Sequence, residues 1–450
     1  MTQTTLREQW SSRTGFILAA IGGAVGLGNI WKFPYVAGSS GGGAFVIIYL
    51  VAVALVAVPI LTAELMLGRS GRRSPPTAML INAEKENRSR WWSGVGWIGA
   101  GAGFLILSFY SVVGGWVLDY VFVSVTNGFS EVEPAGAQAR FGSLLSSPLR
   151  MMLGFTIFLG ITGIIISAGL RNGIERATGI LMPALFLMLL ALTAYSAVEG
   201  DFAAGLRFLF AVDFGRINPN IMLLAVGQAF FSIGVSMGLM MAYGAYLPRN
   251  VSIPRTAIVI AGADTLVAIM AGLAIFPLVF ANGLVSGEGP GLIFVTLPIA
   301  FGNMPAGSLF GALFFLLLLF AAVTSSIAIL EPAVAWVEER RGLNRKASTA
   351  IVTCSAWLLG IGSVLSFNLW AEVKPIAGKT FFDLVDYLTA NLMMPVGGML
   401  IALFAGWFMR RSALEDELRI NNSWLFQTWW LLIRTVAPLA IAGILVTNLL

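Results

Sequence analysis

The chain has 450 residues, of which 58% are hydrophobic and only 11% are charged, and its mean hydropathy is +0.86. Soluble domains carry about 25% charged residues, so this composition excludes a soluble globular protein. The absence of histidine removes the commonest general base and the usual zinc ligand. The single cysteine, Cys354, excludes an intramolecular disulfide. The sequence therefore indicates a polytopic membrane protein without the common catalytic machinery.

Apolar segments long enough to cross a bilayer recur along the whole chain, separated by short charged connections. A spanning helix needs roughly 20 predominantly apolar residues. By this criterion the sequence predicts eleven spanning helices, near residues 14–39, 43–69, 91–124, 150–168, 174–197, 219–247, 254–283, 307–338, 348–366, 378–409 and 424–449.

The basic residues between these helices predict the orientation of the chain. Nineteen lysines and arginines fall on the side of the N-terminus and six on the other. Cytoplasmic loops carry the excess of positive charge, so the N-terminus is predicted to be cytoplasmic and, with eleven spans, the C-terminus to lie outside. These loops explain the net charge of +5 without a nucleic-acid partner. The segment 1–10 is polar, so no cleavable signal peptide is expected there.

The predicted connections are mostly short, and the three longest, near 125–149, 198–218 and 284–306, are expected to be hydrophilic and to face outward.

The first and sixth helices contain clusters of glycine and polar residues. Residues 22–29 read GGAVGLGN and residues 231–238 read FSIGVSMG. Each glycine costs a helix about 1 kcal/mol relative to alanine. Small residues that let helices pack closely are one explanation. These clusters, however, run all round the helix. Local unwinding at a cavity explains them better, and corresponding breaks in helices one and six suggest inverted five-helix repeats.

Several motifs together resemble the neurotransmitter:sodium symporter family. They are REQW at 7–10, GLGNIWKFPY at 26–35, GGGAF at 41–45, FYS at 109–111, QAFFS at 228–232 and TSSIA at 324–328. The resemblance implies an all-α membrane protein with the LeuT-type fold, in which helices 1–5 and 6–10 form inverted repeats and an eleventh helix follows. It implies one transporter domain over 1–450, with the repeats at about 14–197 and 219–409 and the last helix at 424–449. The family often has a twelfth helix, which this chain is expected to lack, as some bacterial members do.

The resemblance also implies two sodium sites. The first comprises the Ala24 carbonyl, the Asn29 side chain, Ser232, Asp264 and the substrate carboxylate. The second comprises the carbonyls of Gly22, Val25 and Ala321 with the hydroxyls of Thr324 and Ser325. Sodium, like calcium, is a hard cation that prefers oxygen ligands. The two hydroxyls of the eighth helix have an alternative role, because Ser and Thr often bond carbonyls of their own helix.

The substrate site and two gates follow from the same resemblance. The implied substrate residues are Ala24, Gly26, Ile106, Tyr110, Phe231, Ser232, Gly234, Met237, Ser325 and Ile329. In the family pattern the tyrosine hydroxyl binds the substrate carboxylate. Lys32 and Asp386 correspond to an outer gate, and Arg7 and Glu339 to an inner one. The family usually has arginine at position 32, and lysine keeps the charge but loses the planar fork, so a weaker or water-mediated outer gate is expected.

Asp264 departs from the family pattern, which usually has asparagine there. Chloride-dependent members carry a serine one turn later, where this chain has Ala268. A carboxylate within a membrane helix is functional by default. It predicts transport without chloride, but a proton-coupled transporter in which Asp264 titrates stays open as an alternative.

The sequence thus predicts a sodium-coupled symporter of neutral, hydrophobic L-amino acids that works by alternating access. Its expected partners are a small neutral amino acid, two sodium ions and the lipid bilayer, with no nucleic acid and no obligatory protein partner evident. An enzyme is disfavoured because paired catalytic carboxylates and a phosphate-binding loop are missing. A channel is disfavoured by gates on both sides of one site, and a sensor by the lack of an output domain. The compact loops indicate a bacterial inner membrane.

Overall fold

The computed structural model describes residues 9–126, 129, 133–284, 289–420 and 423–449. Nine helices in these ranges are long and apolar enough to span a membrane, and a bent pair forms a tenth span. A shorter broken helix between the fourth and fifth of these nine completes the predicted set. In chain order the spans are α1 (Arg13–Ala24 and Gly28–Ser39), α2 (Gly43–Gly71), α3 (Arg90–Val125), α4 (Pro148–Ser167), α5 (Leu170–Glu199), α6 (Pro219–Ile233 and Leu239–Ala245), α7 (Ile253–Ala281), α8 (Gly307–Arg341), α9 (Arg345–Leu365), α10 (Phe381–Phe408) and α11 (Ser423–Thr447).

Both glycine-rich clusters interrupt their helices, as the sequence predicts. The axis of α1 bends by 50° between its two arms. The arms of α6 are separated by residues 234–238, where Gly234, Ser236 and Gly238 all have positive φ angles, near +70°. Glycine adopts such left-handed backbone at little cost, whereas other residues seldom do. The left-handed backbone of residues 234–238 therefore ends the first arm of α6 within the bundle.

The broken helices lie at the centre of the bundle. The first arm of α1 packs against α5, α7 and α8, and the second arm of α6 packs against α2. The described residues from 15 to 30 are almost all buried, including Phe16, Ala20 and Val25. Irregular backbone at membrane depth is tolerated where protein or a cavity surrounds it, and these breaks meet that condition.

Short helices fill the three connections that the sequence predicted to be hydrophilic. They are Pro134–Leu145, Phe202–Phe210 and Leu292–Gly302, and further short helices, Pro75–Lys85 and Arg411–Leu418, lie in other loops. The expectation of a hydrophilic stretch at 284–306 was wrong, because Leu292, Phe294 and Leu297 are almost completely buried. An apolar helix of this length is too short to span a bilayer, so it reads as a loop by length alone.

Candidate functional site

The break in α1 releases two backbone carbonyls from their helical hydrogen bonds. The Gly26 N–H donates to Asn29 Oδ1 (3.0 Å) rather than to the carbonyl of Gly22. The Asn29 N–H donates to the carbonyl of Gly26 (3.2 Å) rather than to that of Val25. An α-helix would use the carbonyls of Gly22 and Val25 for these bonds, four residues back. Two carbonyls predicted to bind sodium are thus free of these helical partners.

A cavity lies directly against this break, between α1, α3, α6 and α8. Its lining includes all ten residues that the sequence predicted for the substrate site, together with Gly23, Leu27 and Gly28. None of these lining residues carries a charged side chain. A Cβ at Gly26 would lie only 2.9 Å from Ser325 Oγ and 3.0 Å from Tyr110 Oη, so glycine is what keeps this wall open.

Polar groups converge at one end of the cavity and an aromatic ring closes the other. Tyr110 Oη accepts a hydrogen bond from the Leu27 N–H (3.3 Å), which leaves its own proton free to be donated. Phe231 is half-buried, and the Lys32 ammonium lies 3.8 Å from the centre of its ring. An apolar chamber with a few convergent polar groups is the usual form of a small-molecule site.

Three of the predicted ligands of the first sodium site form one hydrogen-bonded cluster. Asn29 Nδ2 donates to Asp264 Oδ1 (2.7 Å), and the Ser232 hydroxyl donates to Asp264 Oδ2 (2.7 Å). The Tyr49 hydroxyl donates to Ser232 Oγ (3.3 Å). All four side chains are buried, and Asp264 is completely so. The carboxylate of Asp264 therefore lies where side chains of α1, α2 and α6 meet.

The hydroxyls of Thr324 and Ser325 in α8 have different partners: one bonds its own helix and the other bonds α1. Thr324 Oγ1 donates to carbonyls of its own helix, Phe320 (3.0 Å) and Ala321 (3.1 Å). Ser325 Oγ instead donates across to the Gly23 carbonyl in α1 (3.4 Å). A hydroxyl that donates still has lone pairs for a cation, so the bonds of Thr324 do not exclude sodium binding. A Cβ at Gly22 would lie 3.1 Å from Thr324 Cβ, so α1 and α8 meet at this point.

The residues predicted to form the two gates do not make the expected ion pairs within the described part of the chain. Lys32 and Asp386 form no ion pair within 4 Å in the described structure, and Lys32 stacks on Phe231 instead. At the other side Glu339 accepts a hydrogen bond from the Ser74 N–H (3.2 Å) and lies 3.6 Å from the Arg73 guanidinium. Arg7, its predicted partner, lies outside the described residues.

Glu64 is a functional candidate that the sequence reasoning missed. It lies in the apolar run of α2, is completely buried, and its Oε1 accepts a hydrogen bond from the Ser236 N–H (3.0 Å) in the break of α6. Asp264 is therefore not the only completely buried carboxylate in the spanning helices. Glu64 is the one acidic residue in the predicted helix 43–69, and this was the sequence signal that could have identified it.

Glu331 is a second missed residue, near the end of α8. It is completely buried, accepts a hydrogen bond from the Tyr246 hydroxyl (2.8 Å), and pairs with the Arg345 guanidinium, whose Nη1 lies 3.0 Å from Oε1. A buried carboxylate requires such partners. Residues of α6, α8 and α9 are thereby tied together on the side of Glu339.

Comparisons with known proteins agree with this architecture. The family model described as the sodium:neurotransmitter symporter family matches residues 7–132 and 143–450. An uncharacterized sodium-dependent transporter of Bacillus subtilis is 38% identical over 436 residues, which are 96% of this chain and 96% of the relative. An uncharacterized sodium-dependent transporter of Haemophilus influenzae is 31% identical over 456 residues, covering 100% of this chain and 99% of the relative.

A solved structure matches the fold over nearly its full length. The crystal structure of MhsT in complex with L-phenylalanine superposes with a TM-score of 0.91 and 40% sequence identity, covering 98% of this chain and 100% of that one. The predicted LeuT-type fold is thereby confirmed. The family consists of sodium-coupled transporters rather than enzymes, and the matches cover both broken helices and the cavity between them. The chain is a multi-pass, sodium-dependent transporter that belongs to the sodium:neurotransmitter symporter family.

Proposed function

We propose that the protein carries neutral, hydrophobic L-amino acids into the cell together with two sodium ions and without chloride. The observation that carries this proposal is the cavity at the break of α1, whose lining is uncharged and mostly apolar. A zwitterion needs partners for its ammonium and carboxylate, and an apolar side chain needs only shape. Free backbone groups beside an apolar chamber provide that combination.

The unwound part of α1 is the proposed binding site for the amino and carboxylate groups. Tyr110 would donate its hydroxyl to the carboxylate, which would also touch the first sodium ion. The methyl of Ala24 would crowd a longer spacer between amine and carboxylate, so α-amino acids are favoured over GABA-like or taurine-like molecules. The remaining carbonyls at the end of the first helical arm carry partial negative charge and suit the ammonium.

The apolar wall of the cavity supports hydrophobic side chains. It is formed by Ile106, Phe231, Met237 and Ile329, while Gly234 leaves extra room. Methionine adapts its shape to different neighbours, which favours substrates of several sizes. The bound L-phenylalanine of MhsT is consistent with this class, at 40% identity.

Two sodium sites are proposed on either side of the break in α1. The first uses the Ala24 carbonyl, Asn29, Ser232 and Asp264, three of which are already within hydrogen-bond distance of one another. The second uses the carbonyls of Gly22, Val25 and Ala321 with Thr324 and Ser325. Its oxygens lie on two helices that touch at Gly22, so a cation there would join α1 to α8.

The gates, repeats and orientation are proposed from the same family pattern. Lys32 with Phe231 and Asp386 would close the outer side, and Glu339 with Arg7 the inner side. The repeats would comprise 14–197 and 219–409 within the single domain 1–450, followed by the helix at 424–449. The protein would lie in a bacterial inner membrane with its N-terminus in the cytoplasm.

Uptake into proteoliposomes tests the proposal directly. We expect labelled L-leucine to accumulate with external sodium and not with choline. Leucine, methionine, phenylalanine and tryptophan should compete for uptake, whereas GABA, taurine and glutamate should not. Displacement by GABA or glutamate at lower concentrations than by leucine would contradict the proposed substrate class.

Proton coupling is the second candidate, because Asp264 is a buried carboxylate that could exchange a proton. The same vesicles distinguish it. Uptake driven by an inward proton gradient in choline medium would show that the protein couples transport to protons rather than to sodium. Uptake that needs sodium whether or not a proton gradient is present would exclude it.

A further inference from the structure

An arginine lies inside the last spanning helix, and no carboxylate of the described residues pairs with it. Arg434 is the twelfth residue of α11 (Ser423–Thr447), and its guanidinium lies 3.9 Å from the ring centre of Trp407 and 4.8 Å from that of Trp430. Within the described residues its five N–H groups have no hydrogen-bond acceptor or ion-pair partner. A charge within a spanning helix is costly and indicates a function by default.

The depth of Arg434 follows from its neighbours in α10. Trp407 Nε1 donates to the Arg434 carbonyl (3.0 Å), and Gly406 packs against the Arg434 backbone. Trp407 is the penultimate residue of α10, so Arg434 lies level with the end of that span rather than at mid-membrane. Tryptophans concentrate at the level of lipid headgroups, where long basic side chains also place their charges.

The surface around Arg434 is open on the lipid-facing side. Trp407 is 52% exposed and Leu431 58% exposed, and Arg434 itself is partly exposed. An apolar surface with a cation at the headgroup level matches a molecule that has acyl chains and an anionic head. Aromatic rings on two sides hold the guanidinium in place through cation–π contacts.

Other charges near this position leave an excess of positive charge. Arg411 lies over Trp430 (5.7 Å) and pairs with Glu415 (2.8 Å). Arg410 pairs with the buried Glu86 (2.9 Å). Arg88 lies over the ring of Phe408 (5.6 Å) and donates to its carbonyl (3.1 Å). Four arginines, those at 88, 410, 411 and 434, therefore face two carboxylates, those of Glu86 and Glu415.

We propose that Arg434, framed by Trp407 and Trp430, is a binding site for the phosphate of an anionic membrane phospholipid. Guanidinium groups bind phosphate oxygens through two parallel hydrogen bonds, which lysine does not provide. Basic pockets between membrane helices on the cytoplasmic side are typical sites for anionic headgroups. Arg411 stands beside the site as a second cation, and the acyl chains lie along the exposed apolar face of α11.

Native mass spectrometry of the delipidated full-length protein tests this site, with dioleoyl phosphatidylglycerol and dioleoyl phosphatidylcholine as probes. We expect the wild type to prefer phosphatidylglycerol. Arg434→Gln should weaken phosphatidylglycerol binding about tenfold, because charged hydrogen bonds are lost. Binding of phosphatidylcholine should not change. Arg255→Gln, at an exposed arginine at the start of α7, is the matched control and should bind both lipids as the wild type does.

Two further arms keep the proposal falsifiable. Arg434→Lys keeps the charge but loses the planar guanidinium that makes two parallel hydrogen bonds, so it should bind phosphatidylglycerol more weakly than the wild type. This variant tests the site even if the glutamine variant does not fold. Inorganic phosphate and glycerol 3-phosphate should not displace the lipid. Equal phosphatidylglycerol affinity in the wild type and the folded Arg434 variants would overturn the site. Displacement of the lipid by inorganic phosphate would show that the site binds a soluble anion rather than a phospholipid.

Discussion

At the scale of single residues, the family resemblance predicts that the carboxylate of Asp264 takes the place of a bound chloride ion. The two proposed sodium ions and a zwitterionic substrate would bring a net charge of +2 to the centre of the membrane, where charges interact strongly and need a counter-charge. Two residues that resemble chloride ligands, Tyr49 and Ser232, form a hydrogen-bonded chain to Asp264. The third, Gln228, donates to the Gly28 carbonyl. Ala268 takes the place of the serine that would complete an anion site.

We predict that Asp264→Asn together with Ala268→Ser makes amino-acid uptake depend on chloride, because the covalent charge is replaced by a site for a free anion. Sodium-driven uptake in chloride and in gluconate medium measures this. Ala268→Ser alone is the control and should transport equally well in both media, since Asp264 still supplies the charge. If wild-type uptake collapses in gluconate, Asp264 does not replace chloride.

The hydroxyls of α8 allow a second prediction at this scale. Replacing Thr324 with Val and Ser325 with Ala removes two proposed sodium ligands while roughly keeping their volume. We expect the apparent sodium affinity of uptake to fall at least about tenfold, or ~1.4 kcal/mol. Ser326→Ala is the matched control, because that hydroxyl faces α4, 2.7 Å from Thr162 Oγ1. An unchanged sodium dependence in the folded double variant would remove this site from the proposal.

At the scale of secondary-structure elements, the break in α6 depends on a side chain from another helix. Residues 234–238 leave backbone N–H groups without helical partners, and Glu64 of α2 accepts a hydrogen bond from the Ser236 N–H (3.0 Å). A buried donor without an acceptor costs about 1–3 kcal/mol. The carboxylate of α2 thus stabilises the unwound conformation on which the cavity depends.

We predict that Glu64→Leu lowers the thermal unfolding temperature in detergent far more than Glu64→Gln, because an amide oxygen still accepts the hydrogen bond from the Ser236 N–H whereas leucine accepts none. The glutamine variant should also retain substrate binding, measured by scintillation proximity with labelled leucine. Equal destabilisation by both substitutions would assign the effect of Glu64 to its charge rather than to its hydrogen bonds.

At the scale of the whole molecule, the number of spans sets the side of each terminus. From the helices α1 to α11 of the described structure we predict eleven crossings, with the two ends of the chain on opposite sides of the membrane. The excess of basic residues then predicts which side is cytoplasmic. The first charged segment and the loop between α10 and α11 fall on that same side.

Reporter fusions test this orientation in a bacterial host. Alkaline phosphatase fused after residue 450 should be active and green fluorescent protein dark, since the C-terminus is predicted to lie outside the cytoplasm. Fusions after Arg419, in the loop between α10 and α11, should behave oppositely and serve as the internal control. The same reporter result at both positions would contradict a final crossing by α11.

The sequence by itself determined the spans and the two broken helices, because apolar length and glycine clusters are local properties of the chain. The ten residues predicted for the substrate site owe their assignment to motifs, and the cavity brings all of them together. Other features depended on distant contacts. The stacking of Lys32 on Phe231, the bond from Glu64 to Ser236 and the aromatic frame around Arg434 each join helices far apart in the chain. Only the tertiary structure decided them, because the partner of a buried charge is chosen by packing and leaves no periodic pattern along one helix.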